Sequence, residues 1–139
     1  MVSALDADSY AETLRTARKN GIKVITYDAD VSEDARDFFV NQCENDELGA
    51  TLMRNMAEEV DEGVVAIVST NPNASNQNAW IEAIQREYES KKDSDYSHIT
   101  FFDKIIYAGD NQADADTAVN TLLTQNDDIK GIFAISSMA

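Results

Sequence analysis

Short apolar runs rich in β-branched residues alternate with helix-type patterns along most of this chain. Four runs have the composition of strands covered on both faces, and they lie at positions 22–27, 64–69, 104–108 and 131–135. Segments with apolar residues three or four positions apart lie before and between them, at 9–20, 46–60, 75–89 and 112–125. Because short connections between such elements produce right-handed strand–helix–strand units, the sequence predicts an α/β fold, with helices on both faces of a parallel sheet.

Residues at the ends of the first predicted helix support this assignment. Ser9 and Glu12 have the spacing of a capping box, and Gly21 follows Asn20 where a left-handed residue would end the helix. The segment 38–42, FFVNQ, does not fit the alternation, because it is a short apolar run that ends in polar residues. We interpret it as a strand that carries the chain from one sheet to another.

The first residues of the chain lead us to expect a fragment of a longer protein. Val2, Ser3 and Ala4 resemble the end of a buried strand, yet they directly follow a methionine. The start has neither the basic opening nor the long apolar segment of a signal peptide. No apolar stretch of the sequence is long enough to span a membrane. Cys43 is the single cysteine, which excludes an internal disulfide and a metal site built from several cysteines.

The charge balance restricts the partners of this protein. The chain has 26 acidic and 11 basic residues, which gives a net charge of −15. Nucleic acids and anionic membranes repel such a surface, so we expect neither as a partner. A negative surface otherwise serves solubility and indicates nothing further about function.

Polar residues follow each predicted strand. In an open parallel sheet, ligands bind outside the carboxyl ends of the strands, so these residues are the candidates for a site. Four of them precede predicted helices and are best explained as helix caps, namely Asp6, Asp8, Asp110 and Asn111. Asp28 differs, because no helix begins directly after it and its carboxylate is an acceptor aimed into a cleft.

Neutral amides are concentrated between a predicted strand and a predicted helix, in the stretch TNPNASNQNAW. Asn73 or Ser75 can cap that helix, which leaves Asn76, Gln77 and Asn78 without such a role. An amide both donates and accepts hydrogen bonds without the desolvation cost of a charge. These residues therefore indicate a neutral, polyhydroxylated ligand.

An enzymatic interpretation starts from Asp28 and Asp30, which follow a strand as Asp-x-Asp. In some Mg²⁺-dependent phosphotransferases the first aspartate of such a pair is the nucleophile. Those enzymes need a further acidic pair after a strand, whereas Asp127 and Asp128 precede one. His98 is the single histidine and has no metal-ligand partner or catalytic motif nearby, so it predicts neither a metal site nor catalysis.

Three segments, GIKVITYDADVSEDARDFFVNQ, LGATLMRNMAEEV and VVAIVSTNPNASNQNAWIEAI, together resemble the type I periplasmic solute-binding proteins of ABC transporters. The resemblance is to the branch that binds rhamnose and autoinducer-2, and it is densest at YDAD, FFVNQ and NQNAW. It implies two lobes, each a parallel sheet with helices on both faces, that close on a ligand between them. It also implies that residues 1–43 form part of the N-terminal lobe with the hinge crossing, and that 44–139 form part of the C-terminal lobe.

The resemblance further implies which residues contact the ligand. Asp28 matches the family's ligand-contacting aspartate, and Asn76 with Gln77 matches its contact pair at the start of a helix. Further family contacts, which commonly include a proline, correspond here to Ile135 and Ser137 without the proline. In autoinducer-2 binders the first residue of the pair is an aspartate, so Asn76 favours a sugar. No catalytic residue, metal or cofactor is implied.

As a member of this family, the intact protein would bind a small sugar outside the cytoplasm, without turning it over, and deliver it to an ABC permease. The effector domain of a LacI-type transcription regulator shares the fold and is the nearest alternative, and the phosphotransferase is a weaker one. For the chain alone we expect self-association, because a partial lobe leaves apolar residues uncovered: Ile22, Val24, Ile25, Phe38 and Phe39.

Overall fold

Two parallel sheets organise the structure, one in each of two units. The computed structural model describes residues 1–4 and 6–136. The first unit consists of Met1–Glu44 and Asn73–Ala79, and the second of Asn45–Pro72 and Trp80–Ala139. Among the residues described, every helix is too short or too polar to span a lipid bilayer.

The sheet of the first unit is small. Strands β1 (Ile25–Tyr27) and β2 (Phe38–Val40) pair in parallel. Val2 pairs in parallel with the other side of β1, where its N–H donates to the carbonyl of Ile25 at 3.0 Å. The structure thus contains the strand predicted in FFVNQ, whereas the strand end predicted at the start of the chain is an isolated bridge at Val2.

Helix α1 (Ala11–Lys19) and a 3-10 helix (Glu33–Ala35) complete the first unit. Its core consists of small side chains, each at most 4% exposed: Ala4, Ala11, Val31 and Ala35. Such small residues bury little apolar area, so this core contributes only modest stabilisation.

The two ends of α1 differ in how well the sequence predicted them. The capping box is wrong, because the helix begins at Ala11 without a side-chain cap and the Ser9 hydroxyl donates instead to the carbonyl of Asp6 at 2.9 Å. The left-handed end is confirmed, since Gly21 has a φ of 82° and its N–H donates to the carbonyl of Arg18 at 2.9 Å. Glycine fits this position because a β-carbon disfavours positive φ.

The second unit is built on a three-stranded parallel sheet in the order β4, β3, β5, whose strands span Ile99–Tyr107, Gly63–Ser69 and Ile129–Ala134. Helices α2, α3 and α4 alternate with these strands along the chain and span Asn45–Glu59, Ser75–Lys91 and Gln112–Gln125. The residues of α3 up to Ala79 belong to the first unit.

The central strand β3 explains why the apolar runs of the sequence are nearly continuous. Val65 and Ile67 belong to one core cluster, whereas Ala66 and Val68 belong to another. Helix residues complete the clusters, with Met53 and Ile84 in the first and Ala115 and Leu122 in the second. Because successive residues of a strand point to opposite faces, a strand covered on both faces must be apolar throughout. The predicted α/β fold, a parallel sheet with helices on both faces, is confirmed.

Strand β4 is longer than the sequence predicted, because it begins at Ile99 and not near Lys104. Its register against β3 shifts, so that Val65 pairs with Phe101 while Ile67 pairs with Ile105. The polar pair Asp103 and Lys104 lies in this irregularity and is exposed. An edge strand tolerates such residues, and they interrupt the apolar pattern that identified the strand.

Several apolar side chains of the first unit are exposed. Ile22, Ile25 and Phe38 are 59%, 37% and 62% exposed, as expected for a small sheet with few neighbours. The expectation is wrong for Val24, which is 5% exposed and whose backbone N–H donates to the carboxylate of Asp37 at 2.9 Å. Self-association through the exposed residues stays a prediction.

A partly buried ion pair lies near the end of α3. Glu87 accepts hydrogen bonds from the Lys91 ammonium at 2.7 Å and from the Tyr96 hydroxyl at 2.8 Å. These bonds, that of Lys91 first, lower the pKa of Glu87 below its usual value. A carboxyl group whose pKa is lowered by folding stabilises the folded state above its unfolded pKa, and this contribution is lost as the pH falls through the folded value.

We therefore expect Glu87→Gln to destabilise the second unit at neutral pH, and to have progressively less effect as the pH falls below the ordinary glutamate value of 4.5. Urea unfolding of Glu87→Gln and of the unaltered protein, repeated at acidic and neutral pH, measures the difference in their free energies of unfolding. Glu89→Gln is the matched control, because the side chain of Glu89 is 60% exposed and its one ion pair among the described residues is with Lys92. A difference between Glu87→Gln and the unaltered protein that stays constant with pH would contradict the prediction.

Candidate ligand-binding site

Asp28, the first residue after β1, has an unusual backbone conformation. Its φ is 63°, the one positive value among the described residues other than glycine. Aspartate enters this left-handed region more readily than most residues, because its short polar side chain can hydrogen-bond locally. The N–H of Asp28 donates to the carbonyl of Val40 at 3.2 Å, so the end of β2 holds the turn in which the carboxylate lies.

Three side chains donate hydrogen bonds to the carboxylate of Asp28. Its Oδ1 accepts from the Nδ2 of Asn76 at 2.9 Å and from the Nε2 of Gln42, while its Oδ2 accepts from the Oγ of Ser3 at 3.2 Å. All four residues belong to the first unit, although Asn76 is 48 positions from Asp28 along the chain. The fold therefore assembles a carboxylate surrounded by neutral donors.

A second hydrogen bond orients the amide of Asn76. Its Oδ1 accepts from the backbone N–H of Gln77 at 2.8 Å, which turns the amide nitrogen toward Asp28. Both residues lie in the first turn of α3, where backbone N–H groups have no partner within the helix. Gln77 itself is 8% exposed. The structure thus brings Asp28 into contact with Asn76, and Gln77 lies next to Asn76.

Asp30, the other aspartate of the Asp-x-Asp pattern, is engaged in an ion pair. Both of its carboxylate oxygens accept from the Nε of Arg36, at 2.8 and 2.9 Å, and Oδ1 also accepts from the hydroxyl of Thr26 at 2.5 Å. Arg36 is in turn 5.7 Å from the centre of the Phe39 ring. Since Asp30 neutralises Arg36 in a structural cluster, the arrangement does not favour a Mg²⁺ site shared by Asp28 and Asp30.

The two candidates after β5 lie outside this cluster of side chains. Ile135 belongs to the second unit, where its N–H donates to the carbonyl of Val68 at 3.1 Å and its side chain packs on the first core cluster. It also lines a largely apolar cavity of about 610 Å³ together with Trp80 and Phe133. Ser137 lies outside the described residues, and the roles of both stay predictions.

Other polar residues singled out by the sequence have structural partners. The Nε2 of His98 is 3.1 Å from the carbonyl of Ala57, which ties it to the end of α2. The side chain of Asn111 accepts from the N–H of Asp114 at 3.1 Å, so the predicted cap of α4 is confirmed. Within the described ranges, no group of three or more histidine, cysteine, aspartate or glutamate residues is arranged to hold a metal ion.

Two members of the cluster, Ser3 and Gln42, are not among the residues predicted from the sequence. Both lie beside strands, Ser3 after the Val2 bridge and Gln42 just after β2. Since β1 is paired on both sides, residues that follow its two neighbours end near Asp28. The rule that ligands bind outside the carboxyl ends of parallel strands is the signal that identifies both residues. From its sequence we interpret FFVNQ only as a crossing between sheets, so its polar end is not among the predicted contacts.

Residues 1–139 match the model of a protein family described as a periplasmic binding protein domain. The match covers the whole chain, including both units.

Three solved structures illustrate the similarity. A solute-binding protein of an ABC transporter from Clostridium phytofermentas, solved with bound L-rhamnose, is 27% identical with a TM-score of 0.86 over 96% of this chain. One from Burkholderia graminis, in complex with D-arabinose, is 28% identical with a TM-score of 0.84 over 98% of this chain. A sugar ABC transporter protein from Actinomyces odontolyticus is 33% identical with a TM-score of 0.66 over 98% of this chain. This chain spans 40%, 45% and 43% of their respective lengths.

Proposed function

This chain belongs to the periplasmic binding protein domain family, as its resemblance to the type I periplasmic solute-binding proteins predicted. From that membership we propose that the chain is part of an extracytoplasmic sugar-binding protein of an ABC transporter. The protein would bind a neutral monosaccharide without chemical change and deliver it to a membrane permease. In this proposal residues 1–43 contribute to one lobe and the hinge crossing, and residues 44–139 contribute to the other lobe.

The observation that carries the proposal is the carboxylate of Asp28, which is held by the amides of Gln42 and Asn76. A carboxylate among neutral amides suits a ligand hydroxyl, which donates to the carboxylate and accepts from amide N–H groups. An anionic ligand would be repelled by Asp28, and Arg36 of the same unit is already neutralised by Asp30. A neutral polyol is therefore the ligand chemistry that fits best.

The solved relatives narrow the class of sugar. Those from Clostridium phytofermentas and Burkholderia graminis hold L-rhamnose and D-arabinose, which are both neutral monosaccharides. Asn76 supports a sugar over autoinducer-2, because the autoinducer-2 binders of the family that this chain resembles have an aspartate at this position. We propose a rhamnose-type sugar as the first ligand to test, with contacts from Asp28, Asn76 and Gln77 and from Ile135 and Ser137.

Neither alternative function has a comparable observation in its favour. The phosphotransferase needs Asp30 on a metal ion, whereas Asp30 pairs with Arg36. A transcription-regulator effector domain shares the general fold, but the solved relatives described above are transport proteins.

In the longer protein that we propose contains this chain, Asp28→Ala and Asn76→Ala are each expected to weaken binding of L-rhamnose. Removing one partner of a buried hydrogen bond costs about 1–3 kcal/mol, or about 5- to 150-fold in Kd. Isothermal titration calorimetry measures this loss, with the exposed Glu33→Ala of the same unit as the control.

Unchanged affinity in both variants would show that the site is wrong. Metal-dependent release of phosphate from an aryl phosphate, lost in Asp28→Asn, would overturn the assignment as a binding protein.

A further inference from the structure

Gln42 lies just after the end of β2, and two hydrogen bonds donated by backbone N–H groups hold its segment beside Asp28. The last residue of β2, Val40, accepts from the N–H of Asp28, which fixes the two chain segments side by side. The side chain of Asn41 accepts from the N–H of Gln42 at 2.9 Å, which fixes the next turn of the backbone. From there the Nε2 of Gln42 donates to Oδ1 of Asp28.

The two oxygens of Asp28 are not equivalent. A carboxylate oxygen accepts about two hydrogen bonds, and Oδ1 already receives two donors, Gln42 and Asn76. Among the contacts of the described residues, Oδ2 receives one donor, the hydroxyl of Ser3, at the longer distance of 3.2 Å. Oδ2 therefore has capacity for one more donor, whereas Oδ1 is saturated.

The exposure of Gln42 argues against a purely structural role. Its side chain is exposed, so its hydrogen bond to Asp28 contributes little to the stability of the folded protein. Its effect on the direction of the carboxylate is larger, since two amides that donate to Oδ1 restrict rotation of the group and leave Oδ2 with capacity for another donor.

We propose that Gln42 is a positioning residue, which together with Asn76 saturates Oδ1 of Asp28 so that Oδ2 accepts a single hydroxyl of the bound sugar. This inference rests on the proposed function. It adds a residue that sets specificity, because a carboxylate with one fixed free oxygen discriminates between sugars by the presence of the hydroxyl that it meets.

The contact itself is tested without any ligand, by NMR of the side-chain amides in the 139-residue chain. Asp28→Ala should shift the Nε2 signals of Gln42 and speed their hydrogen exchange, and should do the same to the Nδ2 signals of Asn76. Gln112 is the internal control, because its amide donates to Asp116 at 2.8 Å in the second unit and should not change. If the Gln42 signals do not respond to Asp28→Ala, the inference is overturned.

The role in specificity is tested in the longer protein by calorimetry with L-rhamnose and its 2-, 3- and 4-deoxy derivatives. The unaltered protein should prefer L-rhamnose over one of the derivatives by on the order of 100-fold, and Gln42→Leu should reduce that ratio to less than about 10-fold. The exposed Glu44→Gln is the control and should leave the ratio unchanged.

The outcomes separate the two proposals. If Gln42→Leu weakens L-rhamnose and all derivatives equally, the ratio is constant and Gln42 has only a structural effect, while the sugar-binding function stands. If the unaltered protein binds neither L-rhamnose nor D-arabinose, the proposed function fails and the role of Gln42 in specificity fails with it.

Discussion

Ile84→Ala is expected to lower the free energy of unfolding of the second unit by about 2–5 kcal/mol. Ile84 is completely buried in the first core cluster, where α2 and α3 pack on one face of the sheet with Met53 and Val65 among its members. Alanine removes three carbon atoms from this site and leaves a cavity that the neighbouring helix and strand cannot close fully. The loss therefore includes both the transfer of those atoms to water and the cavity itself.

Urea unfolding followed by the fluorescence of Trp80, the single tryptophan, measures this change within the second unit. Ile84→Val is the graded variant and should cost about 0.5–1.5 kcal/mol. Leu123→Ala on α4 is the exposed control, because its side chain is 44% exposed, and it should cost much less than Ile84→Ala. Equal losses for Ile84→Ala and Leu123→Ala would contradict the described core.

Gly49→Val is expected to destabilise the second unit by about 3 kcal/mol, and even Gly49→Ala should destabilise it. Gly49 lies inside α2 where that helix meets α3, and a β-carbon there would be 2.5 Å from the backbone carbon of Ala83 and 2.7 Å from the nitrogen of Ile84. Because these are backbone atoms, a helix must shift to accept the added group. Helix propensity alone predicts the opposite sign for Gly49→Ala, a gain of about 1 kcal/mol.

The sign of the Gly49→Ala effect therefore decides between propensity and close packing. Arg54 provides the matched control, since it is an exposed position of the same helix. Arg54→Ala should be more stable than Arg54→Gly by about 1 kcal/mol, as propensity requires. If Gly49→Ala is stabilising by a similar amount in the same urea experiment, α2 and α3 do not approach each other as described.

Ile84 and Gly49 differ in whether the sequence alone predicts their role in packing. Ile84 belongs to an apolar pattern with helical spacing, so its burial follows from periodicity. Gly49 in the middle of a helix looks unfavourable by propensity, and only the distance to Ala83 explains it. A requirement that comes from another helix leaves no periodic signal along the chain.

The residues of the candidate site also differ in whether the sequence alone predicts them. Asp28, Asn76 and Gln77 were predicted, because a carboxylate and a run of amides after strand ends are unusual enough to identify. Gln42 was not, because a polar residue after a short apolar run is common in any turn. Its role depends on the left-handed turn at Asp28 and on the pairing of β1 with β2, and neither is specified by local composition.

The sequence by itself determined the α/β class, the order of the main helices and strands, and the membership of the family, because strand and helix periodicity and local motifs are properties of neighbouring residues. Tertiary structure decided which polar groups meet, so that Asp30 neutralises Arg36 while Asp28 receives the amides of Gln42 and Asn76. The physical reason is the separation along the chain between the residues that interact. Burial patterns repeat within a few residues along the chain, whereas a hydrogen bond between positions 48 residues apart depends on strand pairing and helix packing throughout the unit.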